Sequence, residues 1–472
     1  MTAGVPRTAG IVAYSILAVA LLGSRIAGLG HSFWTDEIIA VRDFIRPGPG
    51  EILAGPDLSH ELFGLLAWAT SSLVGESEIA LRLWSVLPFL AGVGLLTVWL
   101  HRRVGALSGI LFLFLATVSP LLLDITRQAR GYGLAFLAMS VLVVAGLEAC
   151  RNGQTSMVVT FCVAGAVGTA TLPQFGVAFV ASGVALLATP ALRRRVALGV
   201  AASLLATAAF YAPHLGQVRG ASRIEDGVQI DTLWLVTASI DQILLPALIW
   251  IDGTALVAGV VWLPATLLAI FVMSRSPLAR ARTTLLFLCA GPLVTILVLW
   301  LAQAYVIPRY LSFLLVPLFV LTATGCAALL SRAPSAIGAV TVAVCIVGIA
   351  LLGARFAMLT PDVVRLPREA NRNAAEVVLT SGTPPADVLA YMRNPDNLGF
   401  YLGYAPVELD ADGVRRLVCA SRRPIAYVTQ PFALESVDLP CLERAGVRHH
   451  RFEQYARGGE LNVWLVPPGL GR

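Results

Sequence analysis

The chain has little of what a soluble globular protein carries. Only 13% of its 472 residues are charged, against about 25% in a typical soluble domain. Lysine is absent, so that every basic side chain is arginine or histidine. Apolar runs of about 17 residues or more recur as far as residue 353, and each is long enough to cross a bilayer as a helix. These features exclude a soluble protein and predict an α-helical polytopic membrane protein.

Several catalytic and nucleotide-binding motifs are also missing. The sequence holds no GxxxxGK[ST], no GxGxxG after a strand, no HExxH and no Ser-His-Asp signature in context. Nucleotide-driven transport and soluble nucleotide-sugar chemistry therefore lack support. The net charge of +6 does not indicate nucleic acid either, because the arginines cluster at the ends of the apolar runs.

The seven cysteines show no CxxC spacing. Five of them lie in apolar helices or at helix ends, where cysteine behaves as a small hydrophobic residue. Cys419 and Cys441 lie in the polar tail and would pair if that tail occupies an oxidising compartment. The spacing alone leaves the thiol and disulfide states open.

Eleven membrane-spanning helices are predicted, and the charge distribution orients them. They cover about 10–28, 78–100, 104–123, 131–149, 155–171, 174–191, 196–212, 254–273, 283–301, 309–330 and 336–353. With a cytoplasmic N-terminus, the arginine-rich, acid-poor segments all fall inside, as the positive-inside rule requires. The first run, without a small-residue cleavage site after it, is interpreted as a retained helix.

This orientation depends on two segments that are interpreted as not crossing. The segment 62–74 is apolar for only about 13 residues, which is too short to span, and we expect it to lie in the outer interface. Polar residues interrupt the segment 233–251, which we interpret as re-entrant or interfacial. The long loops 31–61 and 213–231 and the short turns 124–132 and 303–310 then face outwards.

The composition changes near residue 357. The membrane domain is predicted at 1–357, with the outer loop 31–77 carrying acidic residues. Residues 358–472 hold charges, prolines and short β-like runs such as 388–391, 425–428 and 463–466. We interpret this tail as a small α/β domain of normal size. The odd number of crossings places it outside the cell.

An acidic motif follows the first helix, Phe33-Trp34-Thr35-Asp36-Glu37. Its two aromatic residues are typical of the membrane boundary. A carboxylate beside an outer cavity takes a proton from a hydroxyl nucleophile if desolvation raises its pKa. The alternative is structural, with Asp36 as the N-cap of an interfacial helix 37–44.

Two arginines, Arg127 and Arg130, lie three residues apart in the turn before the fourth helix. Guanidinium groups at a helix start form a fork for phosphate oxygens, although arginine also anchors helices at the membrane surface. Arg309 with Tyr310, at the outer start of the tenth helix, would supply a second phosphate contact or belong to the aromatic belt. His60, Arg82 and Gln174 are interpreted as supporting residues.

In this order, the motifs resemble the GT-C superfamily of membrane glycosyltransferases, in its protein-mannosyltransferase-like and lipid A aminoarabinose-transferase-like branch. The matching motifs are Trp34-Thr35-Asp36-Glu37, His60, Gly75-Glu76-Ser77-Glu78-Ile79-Ala80-Leu81-Arg82, Ala129-Arg130-Gly131-Tyr132 and Arg309-Tyr310. The resemblance covers about residues 10–330. Two departures bear on substrate preference: Glu61-Leu62 follows His60 where the family has two prolines, and Gln174 stands where relatives often have histidine.

The resemblance implies transfer of a sugar, with inversion, from a polyprenyl-phosphate donor to a hydroxyl acceptor on a glycan, lipid or protein. Asp36 would be the general base, and Glu37 would support it or hold the donor. The donor phosphate would be bound by Arg127, Arg130, Arg309, Arg82, Tyr132 and Tyr310. His60 and Gln174 would contact the sugar. No cofactor is expected, although Asp36 and Glu37 would suffice for part of a divalent-cation site.

Three other functions remain open at the level of sequence. A lipid-linked glycan polymerase or ligase would be expected to carry a large late outer loop, and the turn at 303–310 is short. A transporter or flippase would be expected to place charges near the membrane midplane in repeated halves. A scaffold would use its tail to bind a partner.

Overall fold

A computed structural model describes most of the chain. It covers residues 7–54, 60–214, 279–301 and 308–330, parts of 350–368, and most of 369–468. The predicted span 254–273, nearly all of the span 336–353, the segment 233–251 and most of the loop 213–231 lie outside the described residues. The same is true of residues 303–307.

The described residues fall into two compact units. One unit combines Thr360–Arg472 with Ala27–Pro47 and Ser77–Ile79, and we call it the C-terminal unit. The rest, which includes Gly48–Glu76 and Ala80–Leu359, is called the membrane unit. Residues 27–47 of the outer loop therefore cluster with the C-terminal residues.

The membrane unit is built from apolar helices. Its helices, numbered along the chain with the short helix of the C-terminal unit as α2, are α1 (Arg7–Ile26), α3 (Pro49–Ala54), α4 (Glu61–Val74), α5 (Glu78–Arg103), α6 (Ala106–Val118), α7 (Pro120–Ile125), α8 (Tyr132–Asn152), α9 (Thr155–Thr171), α10 (Phe175–Leu186), α11 (Arg193–Tyr211), α12 (Ala279–Leu301) and α13 (Leu315–Leu330). A 3₁₀ turn, Pro308–Leu314, leads into α13.

Four stretches of the described chain are long and apolar enough to cross a membrane: Thr8–Ile26, Glu78–Arg103, Tyr132–Asn152 and Arg309–Ala328. Helix α1 shows how such a helix meets its surroundings. Ile11, Ile16 and Val19 are 58%, 63% and 72% exposed, although burying such side chains is worth about 1.5–3 kcal/mol each. An apolar stripe of this kind is stable against lipid.

Most predicted helices that fall on described residues have bounds that differ from the observed ones. The helix expected at 174–191 ends at Leu186, and the helix expected at 309–330 starts as the 3₁₀ turn and is α-helical from Leu315. The helix expected at 104–123 is broken, because Pro120 begins a new helix, α7, and the Ser119 hydroxyl accepts a hydrogen bond from the Leu122 N–H (3.4 Å). Proline has no N–H to continue a helix but is well suited to start one. The helix expected at 196–212 begins earlier, at Arg193.

The C-terminal unit contains a mixed five-stranded sheet in the order β2-β1-β3-β5-β4. The strands are β1 (Val388–Tyr391), β2 (Val407–Glu408), β3 (Ile425–Thr429), β4 (Arg448–Glu453) and β5 (Glu460–Val466). The central strand β3 is parallel to β1 and antiparallel to β5. The predicted strands at 388–391, 425–428 and 463–466 are confirmed, whereas β2 and β4 were missed.

Three helices complete this α/β fold: α14 (Asn371–Ser381), α15 (Pro395–Leu402) and α16 (Ala411–Leu417). Apolar residues of α14 and α15 pack with β1, β3 and β5 in one core, which includes Ala374, Val378 and Leu398. A disulfide bond joins Cys419 to Cys441. The fold class predicted from sequence, a polytopic helical membrane domain with a small α/β domain, is therefore confirmed.

Candidate functional site

The first part of the candidate site is the turn between α7 and α8. Its polar and charged residues are nearly inaccessible, with Thr126, Arg127, Gln128 and Arg130 between 0% and 8% exposed. The Arg130 N–H donates to the Gln128 carbonyl at 2.8 Å, which closes the turn tightly. Burying this many polar and charged side chains costs free energy unless hydrogen bonds or a bound ligand pair with them. Their burial therefore indicates a structural or a binding role.

His60 lies against this turn, at the N-terminal end of α4. Its side chain is fully buried, and its ring centroid lies 4.7 Å from that of Tyr132 and 6.1 Å from that of Tyr310. The two tyrosine rings are 6.4 Å apart. The histidine therefore joins the start of α8 to the 3₁₀ turn before α13, which are far apart in sequence.

The backbone at this contact is unusual. His60 is the one residue other than glycine with a positive φ (57°) in the described chain, a conformation that is uncommon for side-chain-bearing residues. Gly131 faces it closely, because a Cβ atom at Gly131 would lie 2.9 Å from His60 Nδ1 and 2.6 Å from Thr171 Cγ2. Glycine at this position lets the His60 ring approach the turn between α7 and α8 that carries Arg127 and Arg130, which we call the arginine turn.

The electrostatics of the cluster favour a neutral histidine. Burial lowers the pKa of His60 well below its usual range, and the positive charges of Arg130 and Arg309 lower it further. Arg309 is half-buried, and its guanidinium carbon lies 5.8 Å from the centroid of the Tyr310 ring. Two arginines and an uncharged imidazole therefore share this region, which is suited to an anion.

Several buried polar atoms near these residues have no hydrogen-bond partner within the described part of the chain. They are both ring nitrogens of His60, both amide atoms of Gln128 and Oε1 of Gln174. Because buried polar groups in native proteins are nearly always paired, such atoms indicate a ligand or ordered water. The sequence did not single out Gln128; its place between Arg127 and Arg130 was the available signal.

Glu61, the residue after His60, is a buried carboxyl group. Burial raises its pKa to about 7, against an ordinary value of 4.5. The Tyr211 hydroxyl lies 3.3 Å from Glu61 Oε2 and 2.8 Å from the Thr169 carbonyl oxygen. The helix α4 has 14 residues, too few to span a bilayer, and Glu61 opens it.

Two further arginines of the membrane unit are buried. Arg82, on α5, is 5% exposed, and Arg25, at the end of α1, is fully buried. The Arg25 guanidinium donates to the carbonyl oxygens of Ala116 and Thr117 at 3.0 and 3.2 Å, which are among the last carbonyls of α6. Arg25 thus caps the C-terminal end of α6.

The acidic motif has its own local structure in the C-terminal unit. Helix α2 runs from Thr35 to Ile39 and continues as a π-helix to Ile45. Trp34 is the N-cap, and its N–H donates to Glu37 Oε2 at 3.1 Å. The alternative that makes Asp36 the N-cap is therefore wrong. Glu37 is fully buried, whereas Asp36 is partly exposed.

The structure thus gathers five of the predicted site residues into one cluster of the membrane unit: His60, Arg130, Tyr132, Arg309 and Tyr310. Arg127 belongs to the same turn as Arg130, and Arg82 and Gln174 lie on α5 and at the start of α10. Asp36 and Glu37 belong to the C-terminal unit. Their meeting with the arginines stays a prediction.

No protein-family model matches the chain, and no curated protein matches it in sequence. Several solved structures, in contrast, superpose on the chain. ArnT from Cupriavidus metallidurans, bound to undecaprenyl phosphate, superposes with a TM-score of 0.55 at 13% identity, over 97% of this chain and 99% of ArnT. The oligosaccharyltransferase AglB from Archaeoglobus fulgidus, in complex with an inhibitory peptide and a dolichol-phosphate, gives 0.50 at 10% identity, over 90% and 70% of the two chains.

Likeness at these identities establishes the fold. The chain has the fold of the GT-C membrane glycosyltransferases, and its structural neighbours ArnT and AglB cover both the membrane helices and most of the rest. The fold that the resemblance implied is therefore confirmed.

Proposed function

We propose that this protein is an integral-membrane glycosyltransferase that moves a sugar from a polyprenyl-phosphate donor to a hydroxyl acceptor. The observation that carries the proposal is the cluster of His60 and Arg130, which are buried, with the half-buried Arg309. It combines two cationic groups with a neutral imidazole whose ring nitrogens have no partner among the described residues. Such a cluster suits a phosphate whose remaining oxygens accept further hydrogen bonds.

The chemistry follows from the charge that develops during transfer. The acceptor oxygen forms a bond to the anomeric carbon while the bond from that carbon to the phosphate oxygen breaks. The phosphate leaves as polyprenyl phosphate, and its growing negative charge is stabilised by Arg130 and Arg309, with Arg127 and Arg82 in support. The acceptor hydroxyl loses its proton to Asp36, and Glu37 supports Asp36 or holds the donor.

The substrate class is supported by the fold. ArnT is seen bound to undecaprenyl phosphate and AglB in complex with a dolichol-phosphate. A lipid phosphate of this kind is what the proposed donor leaves behind after it has given up its sugar. The acceptor is a hydroxyl of a cell-wall glycan, lipid or protein, and His60 and Gln174 contact the sugar. No cofactor is part of the proposal; chelation with EDTA tests for a divalent cation at Asp36 and Glu37, and unchanged activity is expected.

We place the reaction at the extracytoplasmic face of the plasma membrane, with the N-terminus in the cytoplasm. The Cys419–Cys441 disulfide bond supports an oxidising compartment for the C-terminal unit. The arginine-rich ends of the helices support the opposite side for residues 102–103, 151 and 193–195.

The test is Asp36→Asn in proteoliposomes supplied with labelled polyprenyl-phosphate sugars. We expect turnover to fall by about 100-fold or more, because a positioned general base contributes about 10²- to 10⁴-fold, while binding of polyprenyl phosphate is retained. Asp412→Asn is the control, since Asp412 is 69% exposed in its side chain on α16.

Full activity in Asp36→Asn would remove the proposed base. Movement of the lipid-linked sugar across the vesicle membrane, with no transfer to any acceptor, would favour a flippase instead.

A further inference from the structure

Thr35, the residue directly before Asp36, is hydrogen-bonded to residues of the same unit that the sequence analysis did not single out. The Thr35 hydroxyl lies 2.9 and 3.1 Å from the two carboxylate oxygens of Glu369. The Asn397 amide donates to Thr35 Oγ1 at 2.7 Å and to Glu369 Oε2 at 3.2 Å. These three side chains close a small ring of hydrogen bonds.

Neighbouring groups complete this ring. The Asn371 amide donates to Glu369 Oε2 at 3.0 Å, and the Asn394 amide donates to Thr35 Oγ1 at 3.3 Å. Asn371 and Asn397 are 2% and 4% exposed. Shielding from water strengthens hydrogen bonds to a carboxylate and makes their loss costly.

A second set of contacts holds the residues before Thr35. The Ser32 hydroxyl donates to the Glu369 backbone carbonyl, and the Phe33 N–H donates to the Tyr401 hydroxyl. The Phe33 ring also meets Phe400 edge to face, with centroids 6.3 Å apart. Three of the four residues that precede Asp36, namely Ser32, Phe33 and Thr35, are therefore held by side-chain or backbone contacts.

The other end of the acidic segment is held as well. Arg46 stacks over the Phe400 ring, with its guanidinium carbon 4.4 Å from the ring centroid. Arg372, on α14, donates to Glu78 at 2.9 Å and to the Gly30 carbonyl at 2.9 Å. The two ends of the segment 30–46 thus contact α14, through Gly30 and Arg372, and α15, through Arg46 and Phe400.

We propose that Glu369 and Asn397 are positioning residues that orient Asp36 through Thr35, and that the C-terminal unit is in this way a working part of the transferase. The proposal rests on the proposed function, because it takes Asp36 to be the general base. Neither Glu369 nor Asn397 is proposed to touch substrate. A displaced base loses rate without losing donor binding, since the phosphate is held by residues of the membrane unit.

The experiment uses the full-length protein in proteoliposomes and two variants at one position. Thr35→Val keeps the shape of the side chain but removes the hydroxyl, and Thr35→Ser keeps the hydroxyl. We expect Thr35→Val to lower kcat by about 10- to 100-fold, the range that small misplacements of a catalytic group produce. The KM for the donor should change by less than about twofold, and Thr35→Ser should restore most of kcat.

Asn397→Leu and the double variant with Thr35→Val extend the test. If both residues act through the same ring of hydrogen bonds, the double variant should be no slower than the slower single variant. Thr380→Val is the control, because the hydrogen bonds that the Thr380 hydroxyl makes within the described part of the chain go to backbone carbonyls of its own helix α14.

The contacts that hold residues 30–46 against Glu369, α14 and α15 are called the tether. Hydrogen exchange of the backbone amides at residues 33–45 measures the stability of the tether without any activity assay. We expect faster exchange there in Thr35→Val and Asn397→Leu, with a melting temperature close to that of the native protein. Native kcat and native exchange in both variants would overturn the proposal. If the native protein transfers no sugar, the proposed function fails, yet faster exchange still supports the tether and unchanged exchange overturns it.

Discussion

The polar side chains differ in hydrogen bonding between two regions. One region is the arginine cluster of the membrane unit, around His60, Arg130 and Arg309, and the other is the acidic segment 30–46 of the C-terminal unit. In the cluster, the nitrogens of His60 and the amide of Gln128 are buried without partners among the described residues. In the acidic segment, Thr35 and Glu369 are saturated by short hydrogen bonds. Both regions are polar and largely buried, so burial alone does not separate them.

This difference in hydrogen bonding indicates that the two regions have different functions. An unpaired buried donor or acceptor costs about 1–3 kcal/mol, and a ligand that pairs with it recovers that energy on binding. The cluster is therefore expected to gain from a ligand. A saturated network gains nothing from a ligand, but it restricts the groups that it joins to one arrangement. The first region is suited to binding and the second to positioning.

Arg130→Ala is the strongest test of the binding side of this comparison. Removing one charged donor from a site that stabilises a leaving phosphate is expected to lower kcat/KM by about 10²- to 10³-fold. Arg130→Lys should recover only part of this loss, because lysine keeps the charge but not the paired N–H groups. Binding of polyprenyl phosphate to the purified protein should weaken in parallel.

Arg151→Ala is the matched control, since Arg151 is an exposed arginine in the last turn of the same helix, α8. An Arg130→Ala protein that binds polyprenyl phosphate as tightly as Arg151→Ala would break the comparison, because the cluster would then not be the phosphate site.

Glu61 sharpens the comparison through the pH dependence of stability. Its pKa of about 7 when folded lies above its ordinary value of 4.5, so the folded protein holds a proton that the unfolded chain has released between these values. Stability should therefore fall as pH rises from about 4.5 to 7, by on the order of 3 kcal/mol, and stay lower above that window.

Thermal unfolding in detergent from pH 5 to 8 measures this effect, with Glu61→Gln as the variant. The amide has no proton to lose, so its unfolding temperature should be nearly independent of pH and should exceed that of the native protein at pH 8. Glu51→Gln, at an exposed position of α3, should keep the native slope. A Glu61→Gln protein with the native slope would place the titration elsewhere.

The sequence predicted features that depend on local chemistry. Long apolar runs defined the helices, and the unusual outer arginines Arg127 and Arg130 indicated a site because charged groups at membrane depth need a reason. The order of the short motifs predicted the fold. Pro120 could also have been used, since proline after serine is a recognised helix start, and the break at this point was missed.

Contacts between distant residues were beyond this reasoning. Thr35 and Glu369 are 334 positions apart, and Tyr211 and Glu61 are 150 apart. Nothing in composition or periodicity pairs such residues, so neither the tether on the acidic segment nor the raised pKa of Glu61 was predictable. The left-handed backbone of His60 was equally hidden, because it depends on packing against Gly131.

Gly131 offers the smallest and most local test of the comparison. A methyl group at this position would lie 2.9 Å from His60 Nδ1 and 2.6 Å from Thr171 Cγ2, so the ring or the turn must move. Gly131→Ala should lower stability by about 1–3 kcal/mol, as overpacking of a core does, and should weaken donor binding because His60 leaves the arginines. Gly94→Ala in α5 has no atom within 4 Å of the new methyl group and should be neutral or slightly stabilising, since alanine favours helix by up to about 1 kcal/mol. If both variants melted and bound donor alike, the tight contact between Gly131 and His60 would not exist in the folded protein. The cluster would then lack the neutral imidazole that we place beside its two arginines.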